Sequence, residues 1–310
     1  MIIGLSPTNE RFLSSVDTIQ TRLNQAELQL STGLRVNQAS DAPQQIGDIF
    51  QTRADLTSAT QTVQNLNTVK AQADAADSAL QTAIQLMDKA ETLGLQGGGD
   101  PAQANPSQQA TMASEVQGLI SQMVAISNTS VGGVYIFSGD QSGSPSYQVD
   151  TSSANGVDRL ISTQATSVAS DPTGITFPVA KTAQDIFDQR DSSGNFTANN
   201  VFAALQNLQN ALQAGNSAAI ATAVDGVQTA SAYLNQQAGF YGAAQNRIDS
   251  AISLAQKFEV QDQTQLSNLQ DADITQSALQ LTQSTTALSA AMSAQAKRPT
   301  SSLFDYLPPY

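Results

Sequence analysis

The 310-residue sequence contains no histidine and no cysteine. Their absence excludes serine–histidine and cysteine–histidine nucleophiles, as well as zinc, haem and iron–sulfur sites of the usual kinds. It also excludes a disulfide framework, so the chain gains no covalent stability in an oxidising compartment. We therefore predict no catalytic residues, no cofactor and no metal, and a protein that is not an enzyme.

Charged residues are also scarce, at 13% of the chain, and they are unbalanced. Thirteen Lys and Arg face 26 Asp and Glu, which gives a formal net charge of −13. This excess disfavours a nucleic-acid partner, because phosphate binding needs clustered cations. No apolar run approaches the ~20 residues of a membrane span, and the N-terminus lacks the pattern of a cleaved signal peptide. We expect no membrane partner, and a protein that is cytoplasmic or exported without a cleaved signal.

Aromatic residues make up only 5% of the chain, and tryptophan is absent. We therefore expect a core of Ala, Leu, Ile and Val. Such small and aliphatic side chains suit thin contacts between helices better than a thick globular centre.

Both ends of the chain show heptad spacing, which is typical of coiled coils. Near the N-terminus, apolar residues recur at alternating intervals of four and three between the helix start at Pro7 and the expected stop at Gly33. They are Phe12, Val16, Ile19, Leu23, Ala26 and Leu30. The last helix, expected to follow Asp273, repeats the spacing with Ile274, Ala278, Leu281, Thr285, Leu288 and Met292.

Two helical patterns of about fifty residues, 44–95 and 217–269, lie between these ends. Shorter helices are predicted from about 105 and from about 200, and residues 131–195 contain β-prone residues and turn signals. Because the order is nearly mirror-symmetric, the simplest packing pairs the two long helices and, separately, the two terminal helices. The predicted fold is mainly α, a rod of long antiparallel helices and coiled-coil terminal helices with a small β-rich insertion.

Three short segments resemble ligand sites and are better explained as turns or caps. Asp271 and Asp273 are two residues apart and lack the further oxygen ligands of a calcium loop, so we interpret them as residues at a helix N-terminus. The glycines at 97–99 and 138–143 lack the Lys-Ser/Thr that follows a phosphate loop.

The heptad patterns are therefore the strongest functional signal. They could form an intramolecular coiled coil in a monomeric bundle, or they could close against other subunits. The expected exposed faces carry Gln, Ser, Thr and Asn rather than Glu and Lys, which favours contact with neighbouring subunits. The predicted assembly residues are Phe12, Val16, Ile19, Leu23, Leu30, Ile274, Leu281, Leu288, Met292, Leu303 and Phe304.

Several motifs resemble the flagellin family of bacterial axial proteins. Residues 30–37 read LSTGLRVN and are followed by ASDAP at 39–43, which is similar to the family's first helix–loop–helix junction. YGAAQNRI at 241–248 and DADI at 271–274 resemble its returning helices. Within the family, three segments are most similar to the proteins of the hook–filament junction. They are the acidic-proline loop SDAP at 40–43, VYIFSG at 134–139 and SLFDYL at 302–307.

The resemblance implies three domains. They are a terminal-helix domain inside a tube (1–43 and 270–310), a long-helix rod (44–134 and 196–269) and a small β-rich outer domain (135–195). It implies an extracellular structural adaptor of the flagellum, exported unfolded by the flagellar type III apparatus without a cleaved signal peptide. Implied partners are hook-associated protein 1, flagellin, neighbouring copies in a ring and an export chaperone.

Three alternatives remain at this point. The chain could be flagellin itself, which shares the architecture but polymerises without limit. It could carry an enzyme, such as a protease, within the central insertion. It could also be a free adhesin or signalling coiled coil, which would form a stable soluble oligomer.

Overall fold

The computed structural model describes residues 7–99 and 105–297. Contacts divide the chain into a terminal unit, Met1–Ser58 with Phe258–Tyr310, and a central unit, Ala59–Lys257. The helices are α1 Pro7–Thr32, α2 Ile46–Gly97, α3 Pro106–Ser127, α4 Ala183–Phe187, α5 Val201–Ala214, α6 Ser217–Gln270 and α7 Ile274–Ala296. The long helices α2 and α6 each contribute to both units.

In the terminal unit, α1 packs against α7, as the sequence predicts. Gly33 ends α1 in the left-handed region with φ 74°, where a side chain would be strained. The Asp273 side chain caps α7 by accepting hydrogen bonds from the backbone N–H groups of Thr275 and Gln276 at 2.9 and 3.0 Å. The interpretation of Asp273 as a helix cap is confirmed.

In the central unit, α2 and α6 lie side by side. The side chain of Gln245 donates to Asp74 at 3.0 Å, and that of Gln228 donates to Glu91 at 2.7 Å. Because residue numbers rise along α2 as they fall by the same step along α6, the two helices are antiparallel. This confirms the predicted pairing of the long helices within this unit.

Helices α3 and α5 pack together in the central unit and supply much of its core. Asn105 caps α3 and Asn200 caps α5 through side-chain oxygens, while Gly215 ends α5 with φ 64°. Both helices were predicted, but their packing against each other was not, because neither forms a long enough repeat to identify its partner.

The insertion folds as three antiparallel two-stranded hairpins rather than a single sheet within the part of the chain that the structure describes. The strands are β1 Ser130–Val131, β2 Val134–Tyr135, β3 Tyr147–Val149, β4 Val157–Arg159, β5 Val168–Ser170 and β6 Thr176–Pro178. The short helix α4 was missed by the sequence analysis, since five residues with a Thr182 cap give too little periodicity.

The expected core of Ala, Leu, Ile and Val proves incomplete. Five aromatic side chains in the central unit are buried in one cluster with ring centroids 5.1–6.3 Å apart. They are Phe137, Tyr147, Phe187, Phe202 and Tyr241. Two-stranded hairpins bury few residues each, so large rings supply the apolar area that small side chains cannot.

A buried carboxylate joins the β3–β4 hairpin to the start of α5. Asp188 is fully buried and accepts hydrogen bonds from Arg159 at 2.6 Å, Arg190 at 3.1 Å and Asn200 at 2.8 Å. The Tyr147 hydroxyl also donates to it, at 3.2 Å. This network compensates the cost of burying the charge and connects β3, β4 and the start of α5.

Candidate assembly interface

The predicted α1 residues lie on the side of the helix that faces α7. Phe12, Val16, Ile19, Leu23 and Leu30 are half-buried, and Ala26, in the same heptad pattern, is completely buried. One partner helix therefore covers only part of each larger side chain. Their role in subunit assembly stays a prediction.

On α7 the buried side chains differ from the expected heptad set. Leu281 and Leu288 are half-buried, but Ile274 and Met292 are 49% and 58% exposed. The buried positions are instead two serines, Ser277 and Ser284. Ala278 and Thr285, expected on the contact face, are also exposed, so α7 is rotated slightly from the predicted register.

The apolar heptad pattern does not predict these buried positions, because Ser277 and Ser284 are polar. Ser277, Ser284 and Ala291 recur at intervals of seven, and this repeat of small residues is the sequence signal for the buried side of α7. Small side chains allow α1 to approach closely, and the Ser277 hydroxyl donates to the Gln29 side chain at 3.0 Å. The further predicted residues Leu303 and Phe304 lie outside the described residues.

Helix α7 contains no charged residue between Ile274 and Ala296. Its exposed surface consists of Ala, Thr, Gln, Ser and three large apolar side chains, Ile274, Leu279 and Met292. A helix surface that faces water normally carries Lys and Glu. This surface can be covered by protein without the cost of removing charges from water.

The connections of the terminal helices meet at the end of α6. The backbone N–H groups of Arg35 and Val36 donate to the carbonyl oxygen of Gln270 at 2.7 and 3.2 Å. The Arg35 guanidinium donates to the carbonyl oxygen of Leu269 at 2.6 Å. These donors satisfy carbonyl groups that a helix end leaves without intrahelical partners.

Two more contacts fix this junction. The Arg53 guanidinium donates to the buried side chain of Gln270 at 2.7 Å. Asp41 accepts from the backbone N–H groups of Asn37 and Gln38 at 2.9 and 2.8 Å, which closes the loop after α1. The backbone N–H of Ala272 also donates to the carbonyl oxygen of Gly33 at 2.9 Å, so the motifs at 30–43 and 271–274, far apart in sequence, meet at this junction.

No helix among the described residues is long and apolar enough to cross a membrane. These residues also contain no cluster of three or more acidic residues that could hold a metal ion.

Comparison with known proteins supports the resemblance. Residues 9–142 match the family model of the bacterial flagellin N-terminal helical region. No curated protein sequence matches the chain. The chain therefore contains a flagellin-type N-terminal helical region, and the resemblance to the flagellin family is confirmed.

Solved structures with a similar fold include proteins named as flagellar. A structure assigned to the flagellar hook-associated proteins, from Vibrio parahaemolyticus, has a TM-score of 0.64 at 14% identity and covers 74% of this chain and 100% of its own. Hook-associated protein 3 of Legionella pneumophila has a TM-score of 0.59 at 14% identity, covering 71% and 98%. FlgL of Xanthomonas campestris has a TM-score of 0.58 at 18% identity, covering 70% and 99%. The predicted mainly α, flagellin-like fold is confirmed.

Proposed function

We propose that this chain is a structural adaptor subunit of the bacterial flagellum that joins the hook to the flagellin filament and nucleates filament assembly. The observation that carries the proposal is the α1–α7 pair. It combines a partly covered apolar seam with an uncharged helix that exposes Ile274, Leu279 and Met292. Such a surface is suited to contact with other subunits, and the fold is shared with hook-associated proteins.

The proposed partners are hook-associated protein 1 on the hook side, flagellin on the filament side and neighbouring copies in a ring. We also propose an extracellular location, reached unfolded through the flagellar export apparatus without a cleaved signal peptide, with a cytoplasmic chaperone binding the C-terminal helix. These proposals rest on the resemblance. An uncharged α7 with exposed apolar residues is a surface that a chaperone could cover before assembly.

In this proposal the protein acts by holding other subunits in fixed positions rather than by catalysing a reaction. The chain has no histidine or cysteine, which leaves out the most common nucleophile–base pairs. The hydrogen bonds at Gln270 hold the starts of α2 and α7 and the ends of α1 and α6 in one arrangement. A subunit that links two different lattices needs such fixed geometry between its terminal helices.

Deletion of the gene tests the proposal, with electron microscopy of the cells and a flagellin blot of the culture medium. We expect hooks without filaments and flagellin released into the medium. Complete filaments would contradict the proposal. Bare hooks with no flagellin in either fraction would identify the chain as flagellin itself.

A further inference from the structure

The five charged residues of α1 are separated by sign. At about 3.6 residues per turn, Arg11 and Arg22 lie roughly 80–100° to one side of the seam that faces α7. Glu10, Asp17 and Glu27 lie on the other side of that seam. All five side chains are exposed, and none forms an ion pair within the described ranges 7–99 and 105–297.

The cationic side of α1 borders an open groove in the terminal unit. The groove has a volume of about 450 Å³ and is formed by Ile19 and Arg22 of α1 and by one side of α7. Its α7 wall is Gln276, Leu279, Gln280, Gln283, Ser284 and Ala287. Since α7 has no charged residue between Ile274 and Ala296, Arg22 is the only charge among the described residues that line the groove, and Leu279 is 58% exposed beside it.

The other side of α1 has complementary chemistry. Asp17 lies one helical turn after Leu13, which is 52% exposed. The groove therefore presents a cation with exposed apolar carbon, and this side presents an anion with exposed apolar carbon. Arg22 and Asp17 are separated by about 7.5 Å along the helix axis, so two copies placed side by side with a small axial offset could bring them together.

We infer that the groove beside Arg22 receives the Asp17–Leu13 side of α1 from the neighbouring copy of this chain. The inference rests on the proposed function, because it requires copies arranged around a ring. Neighbours related by rotation make a heterologous contact, in which one surface meets a different surface of the next copy. Charges separated on opposite sides of one helix fit that contact, whereas a two-fold dimer would bring like charges together.

The ion pair sets the position of the contact more than its strength. An exposed ion pair contributes little to the strength of a contact, but an unmatched or like-charge contact is costly when neighbours exclude water. Arg22 therefore discriminates between correct and shifted positions of the next copy. Leu13, Ile19 and Leu279 supply the apolar area.

Disulfide crosslinking tests the contact directly, because the natural chain has no cysteine. The full-length Arg22→Cys/Asp17→Cys protein is expressed in the deletion strain, and isolated flagella are oxidised mildly and run on a non-reducing gel. We expect a ladder of multimers of this chain. The matched control Arg22→Cys/Thr18→Cys, with both cysteines on the groove side, is expected to give monomers only.

Absence of the ladder in strains that build filaments would overturn the inference while leaving the adaptor function intact. So would crosslinks to a protein of a different mass, since the groove would then hold another partner. If the deletion strain itself makes complete filaments, the proposed function fails instead. The two failures are therefore distinguishable.

A charge exchange gives a second test. We expect Arg22→Asp and Asp17→Arg each to reduce the fraction of cells with filaments about tenfold or more, since both place like charges in the contact. The double variant should recover most of the filaments. Normal filaments with Arg22→Asp, or no recovery in the double variant while the protein is still detected in the medium, would overturn the pairing.

Discussion

At the scale of single residues, the most constrained charge is Asp188. It is completely buried, and two guanidinium groups, two side-chain amides and a tyrosine hydroxyl surround it. The burial and pairing of such a residue cannot be predicted from the sequence, because its partners come from three different elements. In the sequence, Asp188 resembles the other aspartates of the insertion.

Replacing Asp188 should destabilise the central unit. Asp188→Asn leaves Arg159 and Arg190 partly buried without a counter-charge, and we expect a loss of about 3–5 kcal/mol in the free energy of unfolding. Denaturant unfolding followed by circular dichroism measures the change. Asp158→Asn on the exposed side of β4 is the matched control, with an expected change within about 0.5 kcal/mol. Equal effects of the two variants would contradict this account.

Two buried tyrosines, Tyr147 and Tyr241, predict that the protein becomes less stable at alkaline pH. Burial raises the pKa of Tyr241 to about 12, and burial together with the charge of Asp188 raises the pKa of Tyr147 further. The unfolded chain releases these protons near pH 10. The contribution of these two tyrosines to the free energy of unfolding is therefore fully present below pH 10. It is lost as the pH rises from about 10 towards 12.

Unfolding free energies measured at pH 9, 10 and 11 check this prediction. Tyr241→Phe removes one of the two groups and should reduce the slope above pH 10. It should also cost about 1 kcal/mol at neutral pH, because the Tyr241 hydroxyl accepts a hydrogen bond from the backbone of Lys181 at 3.1 Å. An unchanged alkaline slope in this variant would count against the assignment.

At the scale of elements, close approach explains glycines that the sequence left without a role. A Cβ atom at Gly94 of α2 would lie 2.4 Å from a methyl group of Val224 on α6 and 3.0 Å from one of Leu208 on α5. Helix propensity alone would favour alanine here. The position is glycine because three helices converge on it.

Substitution of two helical glycines should therefore have opposite effects. Gly94→Ala is expected to destabilise by about 1–3 kcal/mol through overpacking. Gly118→Ala in α3, where a Cβ would meet no atom within 4 Å, is expected to stabilise by about 0.5–1 kcal/mol. Thermal unfolding of both variants measures the change in stability. Stabilisation by Gly94→Ala would contradict the close packing of the three helices around Gly94.

At the scale of the whole molecule, the two units should respond separately to damage in the terminal helices. Leu288 lies on the side of α7 that faces α1 and is half-buried, so Leu288→Asp places a charge in the seam. We expect loss of assembly while the central unit, with its own core, stays folded. Leu288→Met, which keeps the apolar volume, should assemble normally.

Motility and filament counts in the complemented deletion strain measure assembly, and circular dichroism of the purified full-length variant measures folding. Normal incorporation of the Leu288→Asp protein would contradict the role of the seam. A similar charge at Leu23 on α1 should have the same consequence, because it lies on the opposite side of the same contact.

The sequence by itself determined six of the seven helices among the described residues, their order and the absence of histidine and cysteine chemistry. Heptad spacing, caps such as Asp273 and stops such as Gly33 are local features, and local features can be read from neighbouring residues.

Only the tertiary structure decided which side of α7 is buried, where the aromatic residues gather and which charges are paired. Ser277 and Ser284 are buried because α1 approaches them closely, and Asp188 is buried because Arg159 and Arg190 converge on it. Each depends on residues distant in sequence. A local pattern specifies the element, whereas the free energy of burial depends on the partner that covers it.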